Sequence, residues 1–280
     1  MKLALGTVQF GIDYGVSNAY GQTSVDQARK ILAVAHLNGI YTIDTALMYG
    51  ESEKVLGKLI NGRNWDVITK IPQISNSIIG KNELMKLHDS FNKSLLNLNL
   101  TSVYGVLLHS CDDLFKKGGD KLLTEIENLK LSGRVKKIGV SVYDADQISM
   151  LINNFDIDLI QLPINIFDQR LIKNGQLAEI KEKGIEIHAR SIFLQGLLLM
   201  SPNSMPPHFS SMVDQFTRFV DMAKSLSMTQ LELALKFALS VPELDKVIVG
   251  VNNSQQLKEI IKVSNFSNSM NIINYRDISI

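Results

Sequence analysis

The chain alternates between short runs of apolar residues and longer segments in which apolar residues recur at helical spacing. Short apolar runs bounded by turn residues indicate buried strands, and recurrence every three to four residues indicates amphipathic helices. Residues 25–37, for example, are a predicted helix, because Ser24 can cap its start and Gly39 can end it. The predicted strands are residues 3–8, 40–45, 66–71, 102–109, 135–142, 159–162, 185–191 and 246–250.

Helical patterns separate these strands along most of the chain. Strands that are joined by helices pair in parallel through right-handed crossovers. Eight strand–helix units in about 250 residues fit a closed (β/α)8 barrel better than an open sheet. The sequence therefore predicts an α/β fold of one domain over residues 1–280, a (β/α)8 TIM barrel with a loosely packed tail from about residue 264. The predicted helices are residues 25–37, 51–60, 83–96, 121–131, 144–153, 173–183, 210–226, 229–240 and 254–263.

Composition narrows the classes of protein. A hydrophobic content of 45% and a charged content of 20% are ordinary for a folded chain and exclude an intrinsically disordered one. The net charge of +1 leaves no basic surface of the kind that binds nucleic acid or an anionic membrane. The apolar runs fall short of the ~18 residues of a membrane helix, and the N-terminus lacks the core of a signal peptide. A cytoplasmic protein is expected.

Sulfur and imidazole side chains indicate neither a disulfide framework nor a metal site. Cys111 is the only cysteine, so an internal disulfide is excluded. The sequence has no pair of histidines or cysteines at metal-ligand spacing, and no metal is expected. His188 falls within a predicted strand and is expected to face the barrel interior.

Polar residues stand at the C-terminal ends of successive predicted strands, where a barrel of this kind has its active site. Asp44, Lys70 and His109 end the second, third and fourth strands, and Tyr49 follows the second. Each has a structural alternative: a capping aspartate, a core tyrosine, a solvated lysine and a turn histidine. Four such side chains from neighbouring units nevertheless favour a catalytic site over coincidence.

The motifs around these residues resemble those of the aldo-keto reductases over most of the chain. The segment IDTALMYGESEKVLGKLI is similar to the family's Asp-Thr-Ala, Tyr-Gly and Leu-Gly signature, and VITK, LLHS, GRVKKIGVS, IQLPIN and KVIVGVNNSQQLKEI follow in the expected order. The resemblance implies that Asp44, Tyr49, Lys70 and His109 form the catalytic tetrad. It also implies an NAD(P)H-dependent reduction of an aldehyde or ketone to an alcohol.

The chemistry of these side chains suits that reaction, because a carbonyl needs a hydride at carbon and a proton at oxygen. A tyrosine hydroxyl, with a pKa of about 10, is a weak acid near neutrality. The ammonium of Lys70 is expected to lower the pKa of Tyr49, and Asp44 to hold Lys70 in its charged form. His109 is expected to hydrogen-bond the carbonyl oxygen, and the hydride must come from a nicotinamide.

The resemblance also implies a set of cofactor-binding residues. Ser141 and Gln161 fall where the family binds the carboxamide, although Val142 replaces its usual asparagine. Arg190 stands where the family has an aromatic residue that stacks on the nicotinamide. A planar guanidinium can stack on the ring in the same way. Residues 250–259 are expected to hold the adenosine phosphate at a helix N-terminus. The implied cofactor-binding residues are Ser141, Gln161, Arg190, Ser191, Gly250, Asn252 and Gln256.

The identity of the cofactor and of the substrate is less well defined. NADPH is the first expectation by resemblance, but Asn252 and Gln256 are neutral where the family often has a basic residue for the 2′-phosphate, so NADH is possible. The loops of residues 8–23, 110–120 and 192–209 and the tail are expected to shape the substrate pocket. The loop of residues 110–120 is short, which favours an open pocket and a polar carbonyl substrate such as a keto-sugar. No obligatory protein partner is evident. The alternatives are a non-catalytic nucleotide-binding regulatory protein on the same fold and an aldolase that forms a Schiff base on Lys70.

Overall fold

Eight parallel strands pair in sequence order and close into a barrel, because the first strand also pairs with the last. The computed structural model describes residues 1–143 and 146–265. Leu5 is aligned with Ile43 on one side and with Val249 on the other. The strands are β1 (Leu3–Gly6), β2 (Thr42–Asp44), β3 (Asp66–Ile71), β4 (Val103–Leu108), β5 (Val135–Ser141), β6 (Leu159–Pro163), β7 (Glu186–Arg190) and β8 (Lys246–Gly250).

Helices surround the barrel and follow most strands, which confirms the (β/α)8 fold. Among the described residues none of these helices is long and apolar enough to cross a bilayer. Three 3-10 helices, at Leu194–Leu199, Pro202–Ser204 and Pro207–Met212, lie between β7 and the tenth helix. The helices are α1 (Val8–Gly11), α2 (Val25–Leu37), α3 (Ser52–Leu59), α4 (Lys81–Leu98), α5 (Asp112–Phe115), α6 (Gly119–Leu131), α7 (Asp146–Asn154), α8 (Arg170–Lys173), α9 (Gln176–Glu182), α10 (Val213–Ser225), α11 (Gln230–Ser240) and α12 (Ser254–Asn265).

The sequence predicts every strand in its place, but four helical segments differ. The short helix α5 lies within the predicted loop of residues 110–120. The first strand ends at Gly6, and the next residues form α1 rather than continuing the strand. The single helix predicted over residues 173–183 is two helices, because Gly175 adopts a left-handed φ of 75° between α8 and α9. The helix predicted from residue 210 begins at Val213, after the 3-10 helix that Pro207 opens.

The last described helix ends close to the predicted start of the tail. Helix α12 continues through Ser264 to Asn265, and Val263 is buried in it. The rest of the predicted tail, residues 266–280, and the start of the helix predicted from residue 144 lie outside the described residues.

Alternating strand residues build two packed layers. One set points outwards against the helices, as Leu5 and Ile43 do, and the other fills the barrel, where Ile68, Leu107 and Leu159 are fully buried. Each such side chain contributes about 1.5–3 kcal/mol when it leaves water. Helix α2 covers the barrel with one apolar stripe at the spacing that a helix requires. The stripe consists of Ala28, Ile31, Leu32 and Ala35.

A charged network closes the N-terminal end of the barrel, opposite the rim at which β2 and β3 end. Glu186 pairs with Lys137, accepts a hydrogen bond from the Tyr104 hydroxyl at 2.8 Å and lies 2.6 Å from His188 Nε2. His188 is fully buried, as its strand position predicts. Burial alone would raise the pKa of Glu186, but its three partners lower that pKa from 4.5 to about 2. The network ties β4, β5 and β7 together at the end that serves stability in such barrels.

We expect Glu186→Gln to lower the free energy of unfolding at pH 7 by roughly 1–3 kcal/mol, because buried partners lose a charge-assisted bond. The folded-state pKa of Glu186 is depressed, so its contribution is complete above about pH 4.5 and disappears as the pH falls towards about 2. Urea denaturation from pH 7 to pH 3 should show the two proteins converging. Glu182→Gln on the exposed end of α9 is the control, and a constant difference across this range would contradict the assignment.

Candidate active site

A buried ion pair lies at the C-terminal rim of the barrel. Lys70 is 1% exposed, and its Nζ donates to both carboxylate oxygens of Asp44 at 2.7 and 2.8 Å and to the carbonyl of Thr45 at 2.9 Å. Burial would lower the pKa of Lys70, but the negative charge of Asp44 and the nearby phenol of Tyr49 together raise it above its ordinary value. Lys70 is therefore a permanent cation at neutral pH.

Polar contacts from neighbouring elements hold Asp44 in place. Gln161 on β6 donates its Nε2 to Asp44 Oδ1 at 2.7 Å, across the full width of the barrel rim. The Thr7 hydroxyl donates to the Asp44 carbonyl at 2.9 Å, and Ser52 in turn donates to the Thr7 carbonyl at 2.8 Å. The carboxylate consequently points at Lys70 in a fixed orientation.

Two glycines position the turn that carries Tyr49. Gly50 has a left-handed φ of 57°, and a side chain there would meet the carbonyl of Gly11 at 2.5 Å. A side chain at Gly11 would meet the carbonyl of Tyr49 at 1.7 Å. The backbones of α1 and of this turn therefore pack directly against each other, which requires glycine on both sides.

The hydroxyl of Tyr49 stays protonated in this setting. Lys70 Nζ lies 5.0 Å from the centroid of the Tyr49 ring. Burial raises the pKa of Tyr49 above its ordinary value, and the charge of Lys70 opposes this effect without reversing it. The lysine acts in the predicted direction, but the prediction of a lowered pKa is wrong in net direction, because desolvation of the phenolate is the larger effect.

His109 completes the group as a neutral imidazole. It follows β4 directly, its backbone N–H donates to the Ile71 carbonyl at 3.0 Å, and its ring centroid lies 6.2 Å from that of Tyr49. Burial and the positive charges of Lys70 and Arg190 lower the pKa of His109 from 6.5 to about 4, against a smaller opposite effect of Asp44. A neutral ring can donate one hydrogen bond to a ligand.

These side chains border a pocket of about 710 Å³, within the ~300–1,000 Å³ of small-molecule and cofactor sites. Asp44, Tyr49 and His109 line it, and Lys70 lies buried behind them. All the cofactor-binding residues expected from the sequence line the same pocket. They are Ser141, Gln161, Arg190, Ser191, Gly250, Asn252 and Gln256.

Several polar atoms in this pocket are buried and lack a hydrogen-bond partner in the part of the chain that the structure describes. They include the hydroxyl of Ser141, Oε1 of Gln9 and Oδ1 of Asn252. Buried polar atoms in folded proteins are normally paired, so such atoms on the wall of a pocket indicate ligand contacts. Ser141 is aligned with Gln161 on the neighbouring strand, and the two polar side chains suit a carboxamide.

The opposite end of the pocket is neutral or acidic. The backbone N–H of Asn252 donates to Gln256 Oε1 at 2.8 Å, and the N–H of Gln256 donates to Asn253 Oδ1 at 3.0 Å. Two of the amides that the sequence assigns to a phosphate are thus engaged within the loop and the first turn of α12. Glu259 also lines this end. Among the described residues that line the pocket, Arg190 is the one permanent cation.

The loops of residues 8–23 and 192–209 contribute to the wall, as the sequence predicts, but other parts of the wall differ from the prediction. The loop of residues 110–120 contributes no lining residue among those described, and Tyr14 and Tyr143 border the pocket instead. The backbone N–H of Val16 donates to the Gln195 carbonyl at 2.8 Å, which joins the loop after α1 to the loop after β7. Tyr14 lies in a predicted pocket loop, whereas Tyr143 belongs to no predicted loop and no chemical motif, so the sequence gives no signal for Tyr143.

Comparison with known proteins agrees with this geometry. The family model described as the Aldo/keto reductase family matches residues 2–277. The chain belongs to the aldo/keto reductase family. It is 26% identical to an uncharacterized oxidoreductase of Bacillus subtilis over 94% of this chain and 91% of the relative. It is 25% identical to the L-galactose dehydrogenase of Arabidopsis thaliana, over 92% and 83%.

Solved structures of aldo-keto reductases share the fold. An aldo-keto reductase from Bacillus halodurans in its holo form superposes with a TM-score of 0.75 at 19% identity, over 97% of this chain and 88% of that one. The glycerol dehydrogenase of Gluconobacter oxydans gives a TM-score of 0.75 at 19% identity, over 99% and 90%. Family membership and the oxidoreductase relatives support a carbonyl oxidoreductase.

The signature segment that contains Tyr49 also contains a buried residue with a structural role, Glu53. Glu53, which follows the Tyr-Gly pair, is 1% exposed and accepts hydrogen bonds from Thr69 at 2.6 Å and from Asn97 at 3.1 Å. Thr69 precedes Lys70 on β3, so Glu53 fixes the strand that carries the lysine to helices α3 and α4.

We expect the ring of His109 to remain neutral from pH 8 down to about pH 5.5, because its pKa lies near 4. NMR titration of the histidine ring protons tests this, with the His109 signals assigned by their loss in His109→Gln. Arg190→Gln should move the titration upwards, since one nearby positive charge is removed, whereas Arg134→Gln at the other end of β5 should not. A midpoint above pH 6 in the parent protein would contradict the electrostatics described here.

Proposed function

We propose that the protein is an NAD(P)H-dependent aldo-keto reductase that reduces an aldehyde or ketone to an alcohol, with Tyr49 as the general acid. The observation that carries this proposal is the combination of a protonated Tyr49 hydroxyl, a charged Lys70 and a neutral His109 around one pocket. This combination offers a proton and a hydrogen bond to the same oxygen atom.

Each side chain has a separate task in the proposed reaction. His109 donates a hydrogen bond to the carbonyl oxygen and orients it. Tyr49 transfers its proton to that oxygen as negative charge develops there. Lys70 stabilises the resulting phenolate, and Asp44 keeps Lys70 charged and fixed. Positioned acid catalysis of this kind contributes roughly 10²–10⁴-fold.

A nicotinamide dinucleotide fits the remaining wall of the pocket, and when bound it supplies the hydride. Ser141 and Gln161 would hold its carboxamide, and Arg190 would contact the ring. Ser191 and Gly250 border the path towards the adenosine end, where Asn252 and Gln256 lie. The unpaired hydroxyl of Ser141 supports this placement, because the carboxamide gives it a partner.

The substrate that we propose is a polar carbonyl compound such as a keto-sugar. The outer wall presents hydroxyl and amide groups beside the catalytic residues, which suits a ligand with several hydroxyls. The sugar dehydrogenase among the relatives supports the same class. The wall residues concerned are Tyr14, Ser17, Asn18 and Tyr143.

The alternative, a non-catalytic nucleotide-binding regulatory protein, is less well supported. Such a protein needs the nucleotide site but not a buried Asp44–Lys70 pair behind a protonated tyrosine. An aldolase that forms a Schiff base on Lys70 conflicts with the raised pKa of this lysine, since an ammonium is not a nucleophile.

We expect Tyr49→Phe to retain the fold and nucleotide binding but to lose about 10²–10⁴-fold in turnover, because the proton donor is removed. NADH or NADPH oxidation with a panel of aldehydes and keto-sugars measures this. Tyr41→Phe, a tyrosine just before β2 at the opposite end of the barrel, is the matched control. Turnover of Tyr49→Phe close to that of the parent protein would remove Tyr49 from the mechanism.

We expect NADPH and NADH to bind with dissociation constants within about tenfold of each other. The adenosine end offers no described cation for a 2′-phosphate, and one charge-assisted contact is worth about 1.5–3 kcal/mol. Fluorescence titration of both reduced cofactors tests this. Asn252→Arg should shift the preference towards NADPH, and Asn153→Arg on α7 should not. A thousandfold preference for NADPH in the parent protein would refute this description of the site.

A further inference from the structure

Arg190 is held rigidly beside the site proposed for the nicotinamide. It ends β7, its Nη2 donates to the Val142 carbonyl at 3.0 Å, and its guanidinium carbon lies 4.3 Å from the centroid of the Tyr143 ring. Val142 directly follows Ser141, so the guanidinium lies over the end of β5. A ring whose carboxamide reaches Ser141 must therefore lie close to Arg190.

No carboxylate of the described residues pairs with Arg190. Within the described residues it forms no ion pair, and its other side-chain bond goes to the uncharged hydroxyl of Ser191 at 3.3 Å. Of the carboxylates that line the pocket, Asp44 is engaged by Lys70 and Gln161, and Glu259 lies at the adenosine end. A half-buried guanidinium without a carboxylate keeps its full effect on whatever binds beside it.

The two redox states of a nicotinamide differ in charge, because the oxidised ring is positive and the reduced ring is neutral. We propose that Arg190 makes this pocket discriminate between them, so that it binds the reduced dinucleotide more tightly than the oxidised one. The inference rests on the proposed function. An uncharged aromatic residue at this place stacks on either ring without such repulsion, whereas a fixed positive charge opposes only the oxidised ring.

Repulsion between Arg190 and the oxidised ring also affects turnover in the direction of carbonyl reduction. The oxidised dinucleotide is formed beside a like charge, so its release is favoured and inhibition by this product is weak. The same repulsion shifts the equilibrium of the bound reactants towards the reduced dinucleotide. Arg190 is thus a specificity-determining residue for the redox state of the cofactor, and its effect is present without any carbonyl substrate.

The test is equilibrium binding of the oxidised and reduced dinucleotides, NAD⁺ and NADH, to the parent protein and to three variants. Arg190→Gln removes the charge, Arg190→Lys keeps a charge but loses the planar group, and Arg134→Gln removes another guanidinium stacked on an aromatic ring, 4.9 Å from Phe91. We expect Arg190→Gln to reduce the preference for NADH over NAD⁺ by roughly 10–100-fold, allowing for partial solvent screening. Arg190→Lys should retain part of the preference, and Arg134→Gln all of it.

Each other outcome overturns the inference in a distinct way. If Arg190→Gln weakens both dinucleotides equally, Arg190 anchors their common phosphates instead of sensing the ring. If it changes neither constant, the guanidinium lies away from the ring. If the parent protein and all variants bind neither NAD⁺ and NADH nor NADP⁺ and NADPH, the proposed function itself fails. Thermal unfolding and circular dichroism of each variant exclude loss of the fold as the cause.

Discussion

The burial of one lysine organises the catalytic rim. Lys70 lies inside the barrel at 1% exposure, where an unpaired charge would cost several kcal/mol. Both oxygens of Asp44 and the carbonyl of Thr45 surround its ammonium, which leaves one side facing Tyr49. Gln161, from the far side of the rim, then satisfies the carboxylate. Removing Asp44 or Lys70 leaves a buried charge without its partner, and the bond from Gln161 extends the constraint of the pair to a third strand.

The same constraint fixes the protonation states that the chemistry needs. Burial, together with the cation behind Tyr49 and His109, lowers the pKa of the imidazole and keeps it neutral, while burial keeps the phenol protonated. A proton donor and a hydrogen-bond donor are therefore available together at neutral pH. Geometry at this rim depends on backbone contact as well as on charge, since Gly11 and Gly50 allow the two loops to touch.

The sequence predicts the barrel and places the catalytic candidates well, because buried parallel strands are continuous apolar runs and their polar ends stand out. Asp44 and Arg190 end their strands as predicted. The sequence cannot predict quantities that depend on the assembled surroundings. The net direction in which the pKa of Tyr49 shifts is one such quantity, because desolvation is a property of the folded pocket. The contribution of Tyr143 to the pocket wall is another, since loops far apart in the chain meet there.

Strand β7 connects the two ends of the barrel. Glu186, His188 and Arg190 occupy alternate positions on it, so their side chains point into the barrel at its floor, its middle and its rim. Glu186 is pinned by side chains from β4 and β5, and a slip of the strand by two residues would bring His188 to the floor in its place. The ion pair at the closed end thus sets the height of the guanidinium at the open end. The register of β7 therefore determines both the ion pair of Glu186 at the N-terminal end of the barrel and the position of the Arg190 charge at the C-terminal end.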